Sequence, residues 1–168
     1  MKVAVKILWL AGVFAAQFVD PVRADESFSA PLFSVSGTAR TLQAYRGQVV
    51  ILNIFATWCQ PCIKEIPDLN RLARNGRGKW LVLGVVTDLQ EPAAVRLFGE
   101  KQGITYPLFY DPDEKFSAQF PVRGFPYFAL LNPDGQVVKH LHGPQQWERR
   151  EMMDYLGSLT RPSGGKFE

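Results

Sequence analysis

The sequence predicts a single α/β domain, built around a buried strand that leads directly into a helix. Residues 49–55 are seven mostly aliphatic residues, which is typical of a strand covered on both faces. Residues 80–87 predict a second buried strand, and the chain of 168 residues is long enough for one sizeable core. Between the two strands, apolar side chains recur at helical spacing, at Ile63, Ile66, Leu69, Leu72 and Ala73.

The only two cysteines, Cys59 and Cys62, stand where the first strand gives way to this helix. Pro61 is tolerated only in the first helical turn, so Cys59 is expected at the N-terminal end of the helix. The free N–H groups and the helix dipole favour an anion there, which stabilises the Cys59 thiolate and makes it the nucleophile. Cys62 lies one turn further in and is close enough to form a disulfide with Cys59. The pattern therefore predicts a redox dithiol.

The remaining elements follow from apolar spacing and from turn residues. In the helix expected over 92–101, Ala94, Val95, Leu97 and Phe98 are predicted on the inner side. Trp147 is expected among the apolar residues of a closing helix over 146–159. The other predicted elements are a short strand in 32–35, an extended stretch at 106–110, a short helix ending near Phe120, and a hairpin of 127–131 with 137–141.

The first 24 residues have the layout of a secretory signal peptide. Two lysines precede the apolar residues 7–19, and Val22-Arg23-Ala24 resembles a cleavage site ahead of Asp25. The run is shorter than the roughly 20 residues of a bilayer span, and an uncleaved N-terminal membrane anchor is the alternative. Either way we expect the domain to work outside the cytoplasm. A polar linker is predicted at 25–31, the folded domain at 32–160 and a flexible tail at 161–168.

The charge balance argues against nucleic acid as a partner. The full chain carries 19 basic and 16 acidic residues, and loss of residues 1–24 would leave 16 and 15. A nearly neutral surface lacks the basic patch that nucleic acid requires. Because both cysteines lie in one motif, no framework of structural disulfides is expected.

At the cysteine motif the chain resembles the thioredoxin superfamily, and within it the TlpA/ResA-like group of bacterial thiol–disulfide oxidoreductases. The resemblance spans roughly residues 31–159. It implies a thioredoxin-like α/β fold, with a central mixed β-sheet flanked by helices and an inserted segment, 88–123, before a proline with a cis peptide bond. The matching residues are 53–62, Glu65-Ile66-Pro67, and Gly124-Phe125-Pro126 with 128–135.

The resemblance also implies a surface that binds the partner protein. Pro126 would take the cis peptide bond beside the dithiol, and the backbone of Phe125 would pair with a bound chain like an added strand. Trp58 and Pro61 would complete this surface, with Trp58 shielding the disulfide. The alternatives are an ordinary turn proline at Pro126 and a plain packing role for Trp58. The family has a small or hydroxyl residue soon after this proline, whereas Tyr127 and then Phe128 follow here, which leaves the substrate preference open.

Glu65 lies three residues after Cys62, and therefore on the same helical face. The resemblance implies a partly buried acid that takes or relays the proton of the Cys62 thiol, and burial would raise its pKa to suit this role. The alternative is a solvated glutamate stabilised by the helix dipole. Asn53 stands where thioredoxin has a buried aspartate. Because an amide does not titrate, Glu65 is the only acid that the motif offers for this role.

The resemblance implies a periplasmic reductase of protein disulfides, with Cys59, Cys62 and Glu65 as its catalytic residues. Electrons would come from a membrane thiol transporter and pass to apo-cytochrome c or copper-site assembly proteins. A disulfide oxidase or isomerase is the competing enzyme. We expect a monomer that needs no cofactor and binds no metal.

Non-catalytic metal carriers are the alternatives from another class of function. A zinc site would add His140 and His142, which share a strand face, to the two cysteines, although the spacings differ from those of usual structural zinc sites. A copper chaperone of the Sco type would have three residues between its cysteines, whereas two stand here. A peroxiredoxin-type peroxidase is excluded, because its Thr-x-x-Cys motif is absent and Thr57 stands only two residues before Cys59.

Overall fold

A computed structural model describes residues 28–160 as one seven-stranded mixed β-sheet flanked by three helices. The predicted signal peptide at 1–24 and tail at 161–168 lie outside the described residues. The strands are β1 Leu32–Ser34, β2 Ala39–Arg40, β3 Val49–Phe55, β4 Trp80–Val86, β5 Leu108–Tyr110, β6 Tyr127–Leu131 and β7 Val137–His142. The helices are α1 Gln60–Asn75, α2 Pro92–Gln102 and α3 Arg150–Leu159, with short 3₁₀ helices at Leu42–Tyr45 and Ser117–Gln119.

The strand order across the sheet is β2-β1-β5-β4-β3-β6-β7. β3 pairs in parallel with β4, and β4 in parallel with β5. The other neighbouring strands are antiparallel, including β3 with β6. This arrangement confirms the predicted mixed sheet and the predicted hairpin of β6 and β7.

The central strand β3 is buried along its whole length. Alternate side chains point to opposite faces of the sheet, so Val50 and Leu52 join one hydrophobic cluster while Val49 and Ile51 join another. A third cluster gathers around Phe55 at the end of β3 and includes both cysteines. The expectation that this strand is covered on both faces is therefore confirmed.

The closing helix α3 begins at Arg150, four residues later than predicted. Trp147 consequently lies in the segment that links β7 to α3, although it is 1% exposed. Its indole ring packs edge-on against Phe128. Trp147 is the one apolar residue among positions 146–149 and suggested a helix that begins before it, but the packing of its buried indole holds this segment outside the helix.

The predicted inner face of α2 was wrong at Leu97, whose side chain is 66% exposed. The buried positions of α2 are Val95 and Gly99, one turn apart. Successive residues turn by about 100° around a helix axis, which places Leu97 on the far side from Val95. Gly103 follows the helix with a left-handed conformation, φ 65°, and ends it.

The N-terminal part of the domain contains one strand that the sequence did not reveal. Within residues 38–47, Ala39–Arg40 pair with β1 and only Leu42–Tyr45 are helical. Of the predicted linker at 25–31, the structure describes residues from Phe28 onwards. The Phe28 ring stacks on Phe120 with centroids 4.5 Å apart, so this part of the linker packs against the domain.

None of the helices within residues 28–160 combines the length and the apolarity that a membrane span requires.

Gly76, which follows α1, is fixed in place by a tryptophan. The Trp80 indole crosses the end of the helix and donates a hydrogen bond to the Leu72 carbonyl, 3.0 Å away. A Cβ atom on Gly76 would lie 2.0 Å from the Trp80 Nε1 atom, which is far inside van der Waals contact. Only a residue without a side chain fits here.

We predict that Gly76→Ala lowers the free energy of unfolding by about 1–3 kcal/mol, the usual cost of overpacking. Gly157→Ala in α3 is the matched control, because a Cβ there meets nothing within 4 Å. The control should be neutral or gain up to about 1 kcal/mol from helix propensity. Urea unfolding of both variants measures the difference, and equal stabilities would contradict the packing argument.

Candidate active site

The two cysteines lie at the junction of β3 and α1, just beyond the C-terminal end of the buried strand. Cys59 is the N-cap of α1, and its Sγ accepts a hydrogen bond from the Cys62 backbone N–H at 3.3 Å. Pro61 occupies the first turn, as predicted. The cysteines form a disulfide, with Cα atoms 5.3 Å apart, and they are only 3% and 2% exposed. The two cysteines thus form a disulfide at the N-terminus of a helix.

The residues around Pro126 meet this dithiol from another part of the chain. The Phe125–Pro126 peptide bond is cis, so Pro126 is not an ordinary trans turn proline. Phe125 packs partly against the cluster that contains both cysteines. Among residues 28–160, no backbone hydrogen bond reaches the N–H or C=O of Phe125.

Trp58 stands in front of the disulfide with 69% of its side chain exposed. Its ring meets Phe125 edge-on, with centroids 5.9 Å apart. This exposure places the Trp58 side chain outside the hydrophobic core. The exposed Trp58 ring and the half-buried Phe125 ring form an aromatic pair beside the cysteines.

A cavity of about 690 Å³ opens next to this aromatic pair. It separates the end of β3 from the inserted segment 88–123. Asp88 and Glu114 supply acidic groups to its wall and Arg123 a basic one, while Phe120 and Val122 are apolar. The cavity is thus large enough for a few side chains of another protein and has mixed polarity.

Glu65 is buried behind the dithiol, with 5% of its surface exposed. Its Oε1 atom accepts hydrogen bonds from the Gln145 backbone N–H at 2.8 Å and from the Trp147 indole N–H at 2.7 Å. Burial raises the pKa of the Glu65 carboxyl; the two donors oppose this rise, and the charge of Asp68 adds to it. A solvated glutamate was the alternative, and the structure shows it to be wrong.

Two further buried polar residues, Asn53 and Tyr106, lie near Glu65. They are 2% and 5% exposed. Burial raises the pKa of the Tyr106 hydroxyl; Asn53 moderates this rise and the Glu65 charge adds to it. Within residues 28–160, Glu65 Oε2, Asn53 Oδ1 and the Tyr106 hydroxyl have no hydrogen-bond partner of good geometry. Native proteins rarely leave buried polar groups unsatisfied, and a catalytic role is one reason for such a group.

Asp88 is a site residue that the sequence analysis missed. Its carboxylate accepts the Thr57 backbone N–H at 2.9 and 3.1 Å and the Thr57 hydroxyl at 2.6 Å. These bonds anchor the turn that carries Trp58 and Cys59. The parallel pairing of the two strands could have indicated this contact. Phe55 pairs with Val86, and Thr57 and Asp88 each stand two residues beyond that pair, so both follow the C-terminal ends of neighbouring parallel strands.

The histidines of the zinc alternative lie on β7 and contact Tyr127 instead of completing a metal site. The Tyr127 hydroxyl and His140 Nδ1 are 2.5 Å apart, and the His142 ring meets Tyr127 edge-on. Burial raises the pKa of Tyr127 to about 12. In the described part of the chain, no three His, Cys, Asp or Glu side chains are arranged to hold a metal ion. The four-ligand set of Cys59, Cys62 and the two histidines is therefore not assembled.

We predict that Glu65 gives the folded protein a specific dependence on pH. Because its folded pKa is raised above 4.5, its contribution to stability is full below the unfolded pKa and is lost as pH rises through the folded pKa. Glu65→Gln keeps an Oε1 acceptor for both donors and cannot ionise, so this loss should disappear. Urea midpoints measured from pH 4 upwards test the difference between the two oxidised proteins.

The matched control is Glu100→Gln on α2, where the glutamate is exposed. This variant should keep the pH dependence of the unchanged protein. If Glu65→Gln also kept it, the buried carboxyl would not be its source.

Comparisons with known proteins agree with this geometry. The family model described as Redoxin matches residues 22–156. The thiol–disulfide oxidoreductase ResA of Bacillus thuringiensis (strain Al Hakam) is 30% identical over 146 residues, which cover 85% of this chain and 83% of ResA. The ResA of Bacillus subtilis is 28% identical over 134 residues, covering 78% and 75%.

Solved structures of the thioredoxin fold also superpose on the chain. A putative thiol:disulfide interchange protein DsbE from Chlorobium tepidum has a TM-score of 0.69 at 20% identity, covering 79% of this chain and 93% of that one. The exposed lipoprotein thioredoxin Etrx1 from Streptococcus pneumoniae has a TM-score of 0.61 at 27% identity, covering 77% and 98%. With the Cys59–Cys62 disulfide in place, the chain belongs to the Redoxin family and is a ResA/DsbE-type thiol–disulfide oxidoreductase with a thioredoxin-like fold.

Proposed function

We propose that the protein is a periplasmic reductase of protein disulfides. The observation that carries this proposal is the placement of Cys59 at the N-terminus of α1, with Glu65 buried one turn behind Cys62. The helix N-terminus supports a thiolate on Cys59, and the buried carboxyl gives a proton acceptor on the side of Cys62. These are the two functions that a dithiol reductant needs.

The reaction transfers two electrons from the dithiol to a client disulfide. The Cys59 thiolate attacks one client sulfur, the client S–S bond breaks, and the other client sulfur leaves as a thiolate. Cys62 then loses its proton to Glu65 and attacks Cys59 Sγ. This step releases the second client thiolate and leaves the Cys59–Cys62 disulfide. Glu65 afterwards gives up the proton when the dithiol is regenerated.

The client would be held by the exposed surface in front of the dithiol. Trp58 and Phe125 offer apolar rings, and the backbone of Phe125 is available to pair with an extended client segment. The neighbouring cavity accommodates client side chains next to the reacting cysteine. Pro61, exposed at the helix start, extends the same surface.

The cellular setting is proposed from the N-terminal segment together with the relatives. The signal-like layout of residues 1–24 supports export, and one structural neighbour is described as an exposed lipoprotein. In the periplasm the protein would receive electrons from a membrane thiol transporter. Apo-cytochrome c and copper-site assembly proteins are the proposed clients, and the protein would act as a monomer.

The proposed direction of electron flow is supported by the charges near Cys59. Strong oxidants stabilise the attacking thiolate heavily, which favours their reduced form. Gln60 and Pro61 bring no cation to Cys59, and the Asp88 carboxylate is bonded to Thr57, two residues before it. These features leave the helix dipole as the main stabilising influence on the thiolate. They favour a reducing couple.

We predict a reduction potential closer to the roughly −270 mV of thioredoxin than to the roughly −120 mV of a strong oxidase. Equilibration of the protein with glutathione or dithiothreitol buffers, followed by alkylation, measures it. A potential more positive than about −170 mV would reverse the assignment and make the protein an oxidase.

We also predict that Cys62→Ser accumulates mixed disulfides with clients in the periplasmic fraction of cells, because Cys59 can attack but nothing resolves the bond. Mass spectrometry of the trapped complexes names the clients. Cys59→Ser is the control and should trap almost nothing. Equal trapping by both variants would show that Cys59 is not the attacking residue.

A further inference from the structure

The segment between β7 and α3 supplies both hydrogen-bond donors to the buried carboxyl of Glu65. The Gln145 backbone N–H and the Trp147 indole N–H bind the same oxygen, Oε1, at 2.8 and 2.7 Å. Glu65 belongs to α1, some eighty residues earlier in the chain. The contact therefore joins two distant parts of the chain at the site.

This segment is held firmly against α1. Trp147 is 1% exposed, and its ring meets Phe128 edge-on with centroids 4.8 Å apart. Beside it, Glu148 forms an ion pair at 2.6 Å with Arg71, which also pairs with Asp68 on α1. The exposed ion pair adds little stability, whereas the packed indole fixes the direction of its N–H. Oε1 is thus a fixed acceptor rather than a mobile one.

The two oxygens of Glu65 are consequently different. Oε1 accepts two donors, while Oε2 is buried and has no partner within residues 28–160. A proton on the carboxyl would sit on Oε2, because both directions at Oε1 are occupied by N–H groups. Donors to the carboxylate also favour its ionised form, against the effect of burial.

We propose that Trp147 is a positioning residue for disulfide exchange: its indole N–H holds Oε1 of Glu65 and leaves Oε2 to exchange the proton with Cys62. The inference rests on the proposed function and names a residue that this function does not itself require. The step is the resolving one. The Cys62 S–H bond breaks, the proton passes to Oε2, the Cys62 thiolate attacks Cys59 Sγ, and the client sulfur leaves with the electron pair of the broken disulfide.

Few other charged or titratable groups face this carboxyl. Asp68 on α1 acts on it through its negative charge, and Tyr106 faces it from the chain before β5 with a hydroxyl that burial keeps protonated. Asn53 on β3 cannot titrate. If Trp147 changes the pH dependence of disulfide exchange, the change therefore acts through Glu65. It can be distinguished from the effects of Asp68, Tyr106 and Asn53.

The test compares Trp147→Phe with Trp80→Phe in the full chain. Each variant keeps an aromatic ring and loses one buried indole hydrogen bond, to Glu65 in the first case and to the Leu72 carbonyl in the second. The rate of release of a model client from its mixed disulfide is followed by stopped flow across pH. For Trp147→Phe we expect the rising limb of the profile to move to higher pH, with roughly tenfold slower release on its acid side. Trp80→Phe should keep the original profile.

A second measurement needs no variant of Trp147. In ¹⁵N-labelled reduced protein, the Trp147 indole N–H resonance should shift as Glu65 ionises, and this shift should be absent in Glu65→Gln. The Trp80 resonance should stay constant over the same range. A Trp147 resonance that does not titrate, or that titrates equally in Glu65→Gln, would overturn the proposal even if Trp147→Phe failed to fold.

The outcomes separate this inference from the proposed function. If the protein releases client through Cys59 and Cys62 but Trp147→Phe has the unchanged pH profile, the positioning role is wrong and the reductase stands. If no disulfide exchange occurs with any client, the reductase is wrong, and the resonance titration alone then decides whether Trp147 responds to Glu65.

Discussion

The structure depends on the complete burial of β3 on both faces of the sheet. Because the strand is buried over its whole length, its register with its neighbours is fixed, and the groups at its end are placed by that register. The parallel pairing with β4 brings Asp88 to Thr57. The antiparallel pairing of Ile54 with Tyr127 brings Phe125 to the same end of β3, where it packs against the cluster that includes both cysteines. The site is thus assembled from residues that adjoin the ends of three neighbouring strands, β4, β3 and β6.

A buried carboxyl beside the dithiol opposes stability, and in the proposed mechanism it accepts the proton of Cys62. Ionised Glu65 is costly inside the protein, and two N–H donors to one oxygen offset only part of that cost. The remaining oxygen, left without a partner among residues 28–160, is where a proton can be taken up or released. A glutamate on the surface would destabilise the folded state less, but its pKa would be too low for it to accept a thiol proton near neutral pH.

Local patterns allowed most of the fold and the dithiol to be predicted from the sequence. β3, α1 and the hairpin follow from apolar spacing and turn residues, and Pro61 fixed the helix start that makes Cys59 its cap. Long-range contacts could not be predicted in this way. Trp147 looked like a helical apolar residue because nothing local shows that its indole reaches Glu65. Leu97 was misplaced because four neighbouring apolar residues span too wide an arc of α2. The roles of Glu65, Trp58 and Phe125 stay predictions.

The two edge strands of the sheet bear on how the protein avoids aggregation while the backbone of Phe125 stays unpaired within residues 28–160. An exposed strand edge recruits other chains and promotes aggregation. Here one end is β2, which has only two residues, and the other is β7, which carries Lys139 and two histidines and pairs with β6 through an irregular register. Both ends are poor templates for an added strand. Pairing between molecules through the edge strands is therefore disfavoured. The backbone beside the cysteines can stay unpaired without making the protein prone to form fibres.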